Sequence, residues 1–147
     1  MGMPRFTGAV RVVPDRHADT AMQEDPKIER VGMSVAMEYE RRQGCLPVDV
    51  AADNLGFDIR CTDPEQGHKR YIEVKVRAAV GPVALTQNKW FKAGHFGTDY
   101  YLYVVPNAAR QPELYIIRDP AANLQPEERV EVRYLVRVEE IVERGRA

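Results

Sequence analysis

The sequence predicts a mixed α/β domain in which helices cover a central β-sheet. An early segment has apolar residues at helical spacing, and several later segments alternate or run apolar as strands do. Their order is helix, three strands, helix and one or two further strands, and a helix-covered mixed sheet buries the apolar side of each. With 147 residues, the chain is long enough for one sizeable core.

The first helix is predicted from Lys27 to Gln43. Its apolar positions recur every three or four residues: Ile28, Val31, Val35 and Tyr39. Gly44 follows where a glycine commonly ends a helix. A second set of positions, one turn apart, combines small residues with an acid: Gly32, Ala36 and Glu40. Such a stripe lets a helix approach a sheet closely.

Three strands are expected next, at Pro47–Val50, Gly56–Thr62 and Arg70–Arg77. The polar segment Asp63–Lys69 separates the last two and contains proline and glycine. The pattern predicts an antiparallel hairpin with a loop of several residues.

Thr86 is placed to cap a second helix, from Gln87 to about Ala93, with Gly94 after it. The run Asp99–Val105 is aromatic, β-branched and nearly continuous in apolar character. Such runs are typical of strands covered on both faces.

The remaining segments complete the domain plan. Leu114–Ile117 is predicted as a strand, and Arg129–Val142 as a strand that runs into a short helix. Residues 1–26 contain three prolines and scattered charge, which indicates a tail or linker. We therefore expect a single domain over residues 27–147.

Composition excludes some classes of protein. No apolar run approaches the roughly 20 residues needed to span a bilayer, so we expect no membrane association. The net charge of −1 argues against a protein that coats nucleic acid nonspecifically. Cys45 and Cys61 form no CxxC pair, and we interpret them as reduced thiols in a cytoplasmic protein.

The segment RYIEVKVR, Arg70–Arg77, carries the candidate site. Its alternation places Glu73 and Lys75 on one face, opposite the apolar side chains. If this strand pairs with GFDIRCT, Asp58 lies on the same face as Glu73 and Lys75. The alternative is an ordinary solvated strand face with a weak ion pair. For Asp58, the alternative is a role near a turn, with Asp49 as a rival acid.

The residue types suit metal-dependent hydrolysis. Asp58 and Glu73 can supply oxygen ligands to Mg²⁺, and the backbone carbonyl of Val74 can add another. Lys75 can orient or help deprotonate the attacking water and offset charge in the transition state.

At this point the sequence resembles the PD-(D/E)XK nuclease superfamily, and within it the Protein NO VEIN C-terminal domain family. The resemblance lies in six segments that run in order over residues 28–120. They are MEYERRQG (Met37–Gly44), GFDIRC (Gly56–Cys61), RYIEVKVR, ALTQNKW (Ala84–Trp90), DYYLYVV and LYIIRDP (Leu114–Pro120).

The resemblance implies a restriction-endonuclease-like αβββαβ core and Mg²⁺-dependent cleavage of DNA, with Mn²⁺ as a substitute. It also implies a helicase or other domains of a longer protein as partners, in a restriction or defence setting, and a homodimer where both strands are cut. Glu40 matches the acid that the family carries on its first helix. The alternative for Glu40 is a surface glutamate beside Arg41.

Further residues are candidates for contact with nucleic acid. Gln87, beside Thr86, opens a helix whose amino end suits phosphate, although both residues would also serve as caps alone. Lys89 stands where the family often has an acid, and it could reach a phosphate or be solvated. Arg70 and Arg77 could guide a phosphate backbone towards the site.

Two functions of different class follow. The first is a Mg²⁺-dependent nuclease. The second is a catalytically inactive nuclease-fold module that binds nucleic acid or docks a protein. Cleavage of DNA, and its dependence on Lys75, distinguishes them.

Overall fold

The computed structural model describes residues 25–145, which belong to two compact units. One unit spans Asp19–Gln125 and contains the sheet. The other combines residues 1–18 with residues 126–147. All but the last two residues of the predicted tail lie outside the described residues. The single domain predicted over residues 27–147 stays a prediction.

The larger unit is a mixed α/β structure, as the sequence predicts. Its elements are α1 (Pro26–Arg42), β1 (Leu46–Asp49), β2 (Ile59–Thr62), β3 (Lys69–Val76), α2 (Gln87–Phe96), β4 (Tyr100–Val105), β5 (Tyr115–Arg118) and a single-turn helix α3 (Pro120–Asn123). Single 3₁₀ turns occupy Ala51–Asp53 and Gly97–Asp99. The smaller unit contributes α4 (Val138–Arg144).

The five strands lie side by side in chain order. Strands β1, β2 and β3 pair antiparallel, which confirms the predicted hairpin, and β4 pairs antiparallel with β5. Strands β3 and β4 are parallel, with Glu73 opposite Leu102. A parallel pair needs a crossover connection, and α2 provides it.

Helix α1 begins and ends where its sequence signals lie. The Asp25 carboxylate accepts a hydrogen bond from the Lys27 backbone N–H at 2.9 Å, and Pro26 occupies the first turn. The chain leaves the helix through Gly44, whose φ of +84° is readily adopted only by glycine. The predicted first helix is therefore confirmed to within one residue at each end.

Each face of the sheet has its own core. The α1 side holds apolar residues from the helix and from β2, β3 and β4: Ala36, Ile59, Cys61, Ile72, Val74, Tyr103 and Val105. The α2 side holds Val50, Phe57, Ala93 and Tyr100, with Tyr71 and Phe96 packed against them. Strand β4 contributes to both clusters, so the strand covered on both faces is confirmed.

Most boundaries in the sheet unit differ from the prediction by at most one residue, and two differ by three. Strand β2 starts at Ile59 rather than Gly56, because Gly56 adopts a φ of +90° and its carbonyl accepts the Tyr100 hydroxyl at 2.7 Å. Helix α2 continues through Gly94 to Phe96, because the packing of Phe96 outweighs the low helix propensity of glycine.

At the carboxyl end, the helical half of the prediction is present as α4. No strand is assigned over residues 130–137, so the strand half is not seen there. Across residues 25–145, no helix combines the length and apolar character that crossing a membrane requires.

The approach of α1 to the sheet yields a stability prediction. A Cβ added at Gly32 would overlap the Val76 side chain on β3. We expect Gly32→Ala to lower the free energy of unfolding by about 1–3 kcal/mol, because the overlap outweighs the gain in helix propensity. Urea denaturation measures the difference.

Gly94→Ala is the matched control for this prediction. A Cβ at Gly94 in α2 meets nothing within 4 Å among the described residues. We expect that substitution to raise the free energy of unfolding by up to about 1 kcal/mol. Equal effects at the two glycines would contradict the close approach of α1.

Candidate active site

Alternation along β3 separates its charged residues between the two faces of the sheet. Ile72 and Val74 belong to the core on the α1 side. Glu73 and Lys75 therefore point to the α2 side, on the shared face that the sequence predicts.

Asp58 lies immediately before β2 and is fixed in two ways. Its backbone N–H donates to the Ile72 carbonyl at 2.8 Å, which extends the pairing with β3. Its side-chain Oδ2 accepts the backbone N–H of Val74 at 2.8 Å. The structure thus brings Asp58 to the middle of Glu73-Val74-Lys75. Since N–H and C=O of a strand residue point to the same side, the Val74 carbonyl also faces Asp58.

The Glu73 carboxylate is fully buried, and ammonium groups are its described partners. Its side chain is 0% exposed. Two ammonium groups approach Oε2: Lys89 Nζ at 2.5 Å and Lys75 Nζ at 3.4 Å. Burial, followed by the charge of Asp58, raises the pKa of the Glu73 carboxyl to about 7.

Lys89 is the residue whose position the sequence does not predict. It lies in the first turn of α2, where its backbone N–H donates to the Thr86 hydroxyl at 3.3 Å. Burial acts to lower the pKa of Lys89, but the contact with Glu73 raises it overall, so the side chain keeps its charge. In this structure the Lys89 ammonium contacts Glu73, and its contact with a phosphate stays a prediction.

The other candidates for nucleic-acid contact occupy different positions. Thr86 caps α2 as predicted, and both Thr86 and Gln87 are exposed at its amino end. Arg77 donates from Nη1 to the Pro82 carbonyl at 2.7 Å, which holds the connection after β3. The structure therefore gives Arg77 a local partner.

Glu40 and Arg70 lie together on the opposite, α1 side of the sheet. Glu40 is 0% exposed, and its carboxylate accepts hydrogen bonds from the Arg70 guanidinium, the Tyr103 hydroxyl and the Cys61 thiol. The structure does not bring either residue to Asp58 and Glu73. The stripe that approaches the sheet is present, since Gly32, Ala36 and Glu40 are the buried residues of α1.

The two buried acids have opposite environments. Burial, together with Glu40, raises the pKa values of the Cys61 thiol and the Tyr103 hydroxyl, so both keep the protons that they donate. Ligand atoms of Glu40, Cys45 and Cys61 lie within 4.8 Å of one another, but Arg70 already supplies the positive charge there and donates to Cys45 Sγ at 3.2 Å. Glu40 accepts hydrogen bonds from a guanidinium, a hydroxyl and a thiol, whereas Glu73 is paired with two ammonium groups.

The residues on the α2 side fit a Mg²⁺ ion. The fit rests on the donor set, which is the buried Glu73 carboxylate with the Asp58 carboxylate held at the same segment of β3. Carboxylate and carbonyl oxygens are the ligands that Mg²⁺ prefers. Lys89 must leave Oε2 for an ion to take that position.

The Glu40 network yields a prediction about stability. Glu40→Gln removes the negative charge that compensates Arg70 inside the protein, so we expect the free energy of unfolding to fall by about 3 kcal/mol. Glu38→Gln is the matched control, because Glu38 lies on the same helix and its side chain is 52% exposed. That change should stay within about 0.5 kcal/mol. Equal losses in urea denaturation would refute the structural role of Glu40.

The Glu73 carboxyl yields a prediction about pH. Its pKa is raised on folding, so the folded chain binds this proton more tightly than the unfolded chain does. The resulting stability is fully present below about pH 4 and is lost as pH rises towards 7. Relative to Glu73→Gln, the wild-type free energy of unfolding should therefore fall over that range. Parallel pH profiles of the two proteins would disprove the raised pKa.

Comparison with known proteins agrees with the order of segments. The family model described as Protein NO VEIN, C-terminal, matches residues 28–117, which include most of α1, the strands β1 to β4, α2 and most of β5. No curated protein and no solved structure gives a match. The matched range covers more than half of the chain and contains Asp58, Glu73 and Lys75. The chain belongs to the Protein NO VEIN C-terminal family.

Proposed function

We propose that this chain is a Mg²⁺-dependent nuclease-like domain that hydrolyses phosphodiester bonds of DNA, with Mn²⁺ as a substitute. The observation that carries the proposal is the placement of Asp58, Glu73 and Lys75 on one face of the sheet, with the Glu73 carboxylate fully buried. Burying an ionisable group costs stability even when ammonium groups lie beside it. A role in holding a cation accounts for that cost.

The chain's own residues would have the following roles. Glu73, Asp58 and the Val74 carbonyl would hold the ion. The hydrogen bond from the Val74 N–H orients the Asp58 carboxylate. Lys75, on the same face, orients the attacking water and offsets the negative charge that develops on the phosphate. When bound, Mg²⁺ supplies further charge neutralisation and polarises a phosphate oxygen.

The overall reaction is an ordinary hydrolysis. The water oxygen forms a bond to phosphorus and loses one proton to solvent, one ester P–O bond breaks, and the leaving oxygen takes up a proton. Lys75 and Glu73 extend from the same face of β3, so the strand fixes the points from which both side chains reach the substrate. Positioning of this kind accounts for much of the rate in phosphoryl transfer.

Two further findings support the proposal. The order α1-β1-β2-β3-α2-β4 is the αβββαβ order that the resemblance to PD-(D/E)XK nucleases implies. Membership of the Protein NO VEIN C-terminal family supports the same assignment. We extend the proposal to a helicase-linked or restriction/defence setting, and to a homodimer where both DNA strands are cut.

One observation favours the alternative, a catalytically inactive module that binds nucleic acid or docks a protein. Lys75 and Lys89 already balance the charges of Asp58 and Glu73 without any metal. In addition, Glu40 forms an ion pair with Arg70 on the other face of the sheet and so does not help to hold Asp58 or Glu73 in place.

Cleavage of plasmid DNA tests the proposal. The full chain should cut plasmid with Mg²⁺ or Mn²⁺ but not with EDTA. We expect Lys75→Met to lower the rate by about a hundredfold or more while DNA binding is retained, since loss of a group that moves or orients a proton has effects of that size. Asp58→Asn and Glu73→Gln should abolish cleavage by removing the ligands.

Glu38→Gln serves as the control, because its carboxylate lies on the surface of α1 and should leave the rate unchanged. Binding of DNA without cleavage under every metal condition would support the inactive module. Absence of both binding and cleavage would refute the nuclease and the nucleic-acid-binding module together.

A further inference from the structure

Charge in the candidate site is balanced by the protein alone. Asp58 and Glu73 contribute two carboxylates, and Lys75 and Lys89 contribute two ammonium groups. The Lys89 ammonium is the closer of the two to Glu73 Oε2, at 2.5 Å against 3.4 Å. A divalent ion added to this arrangement would leave two uncompensated positive charges in a largely buried site. One of the two ammonium groups must therefore move away from the carboxylates when a divalent ion binds.

Lys89 is the one that can move. Lys75 extends from the central strand β3, which is paired on both sides. Lys89 reaches Glu73 from the first turn of α2, at the edge of the site; the two lysine side chains are similarly exposed, so the position of Lys89 at the helix end is what gives it another place to go. Next to it, Thr86 and Gln87 are exposed at the amino end of the helix. A lysine side chain that swings away from Glu73 would arrive at this end.

The amino end of α2 is well suited to an anion but unfavourable for an unpaired cation. A helix dipole places partial positive charge there, and the first turn of α2 contains no acidic residue to compensate Lys89. Without Glu73, the ammonium would face like charge from the helix. A phosphate at the same end would satisfy both the helix N–H groups and Lys89.

We infer that Lys89 couples the two ligands of the site: its ammonium opposes a divalent ion at Glu73 until a nucleic-acid phosphate draws it away. This inference rests on the proposed function. Because such coupling is reciprocal, phosphate binding raises metal affinity and metal binding raises phosphate affinity by the same factor. In the absence of DNA, the Lys89 ammonium stays beside Glu73 and keeps the affinity of the site for a divalent ion low.

Mn²⁺ binding to the full chain, measured by electron paramagnetic resonance without DNA, tests the first half. Lys89→Met keeps the aliphatic length and removes the charge, so we expect Mn²⁺ to bind at least about tenfold more tightly than to the wild type. Lys92→Met removes an equal charge one turn further along α2. That control should bind Mn²⁺ within about threefold of the wild type.

A short DNA duplex with hydrolysis-resistant phosphorothioate linkages tests the second half. It should raise the Mn²⁺ affinity of the wild type more than that of Lys89→Met, since the variant has no ammonium to displace. Equal enhancement in both proteins would overturn the coupling. Equal gains in Mn²⁺ affinity from Lys89→Met and Lys92→Met would overturn the specific role of Lys89.

Glu73→Gln separates failure of this inference from failure of the proposed function. If Glu73→Gln abolishes Mn²⁺ binding but Lys89→Met binds no more tightly than the wild type, the coupling is refuted and the metal site stands. If Glu73→Gln leaves Mn²⁺ binding unchanged, the metal site and the coupling are both refuted. Circular dichroism of each variant confirms that it is folded before these comparisons.

Discussion

The middle of strand β3 is covered on both faces, so the charged side chains that it carries there must be compensated within the protein. A solvated strand could leave Arg70, Glu73 and Lys75 to water at little cost. Here α1 covers one face and α2 the other, and alternation sends Arg70 to α1 and Glu73 to α2. Two polar clusters therefore lie on opposite faces of one strand: Arg70 with Glu40 on the α1 side, and Glu73 with Lys75 on the α2 side.

These two clusters show how a structural acid differs from a candidate functional one. Glu40 receives three donors, including a guanidinium and a hydroxyl, and its charge is matched by Arg70. Glu73 is equally buried, but it has only ion-pair contacts from flexible ammonium groups, and its pKa is raised to about 7. Stability favours the first arrangement over the second, and this difference is what the proposed metal site would account for.

Much of this arrangement follows from local sequence rules, and the remainder depends on contacts distant in sequence. Alternation in Arg70–Arg77 predicts the shared face, and the hairpin predicts that Asp58 joins it. The same alternation places Arg70 on the other face, which identifies it as a partner for the α1 side rather than for the site. The contact of Lys89 with Glu73 could not be predicted, because it depends on the angle at which α2 crosses the sheet. Helix α2 also continues past Gly94 because of a tertiary contact, the packing of Phe96 against the core.

The parallel pairing of β3 and β4 explains why a helix end lies near the site at all. Parallel neighbours require the chain to return across the sheet, and the returning helix α2 packs on the face that carries Glu73. Its first turn therefore brings both a helix dipole and Lys89 towards the carboxylates. A lysine in the first turn of a helix is locally unfavourable. Conflicts between a local rule and the overall fold tend to lie at functional sites, and this one is resolved by the negative charges of Glu73 and Asp58.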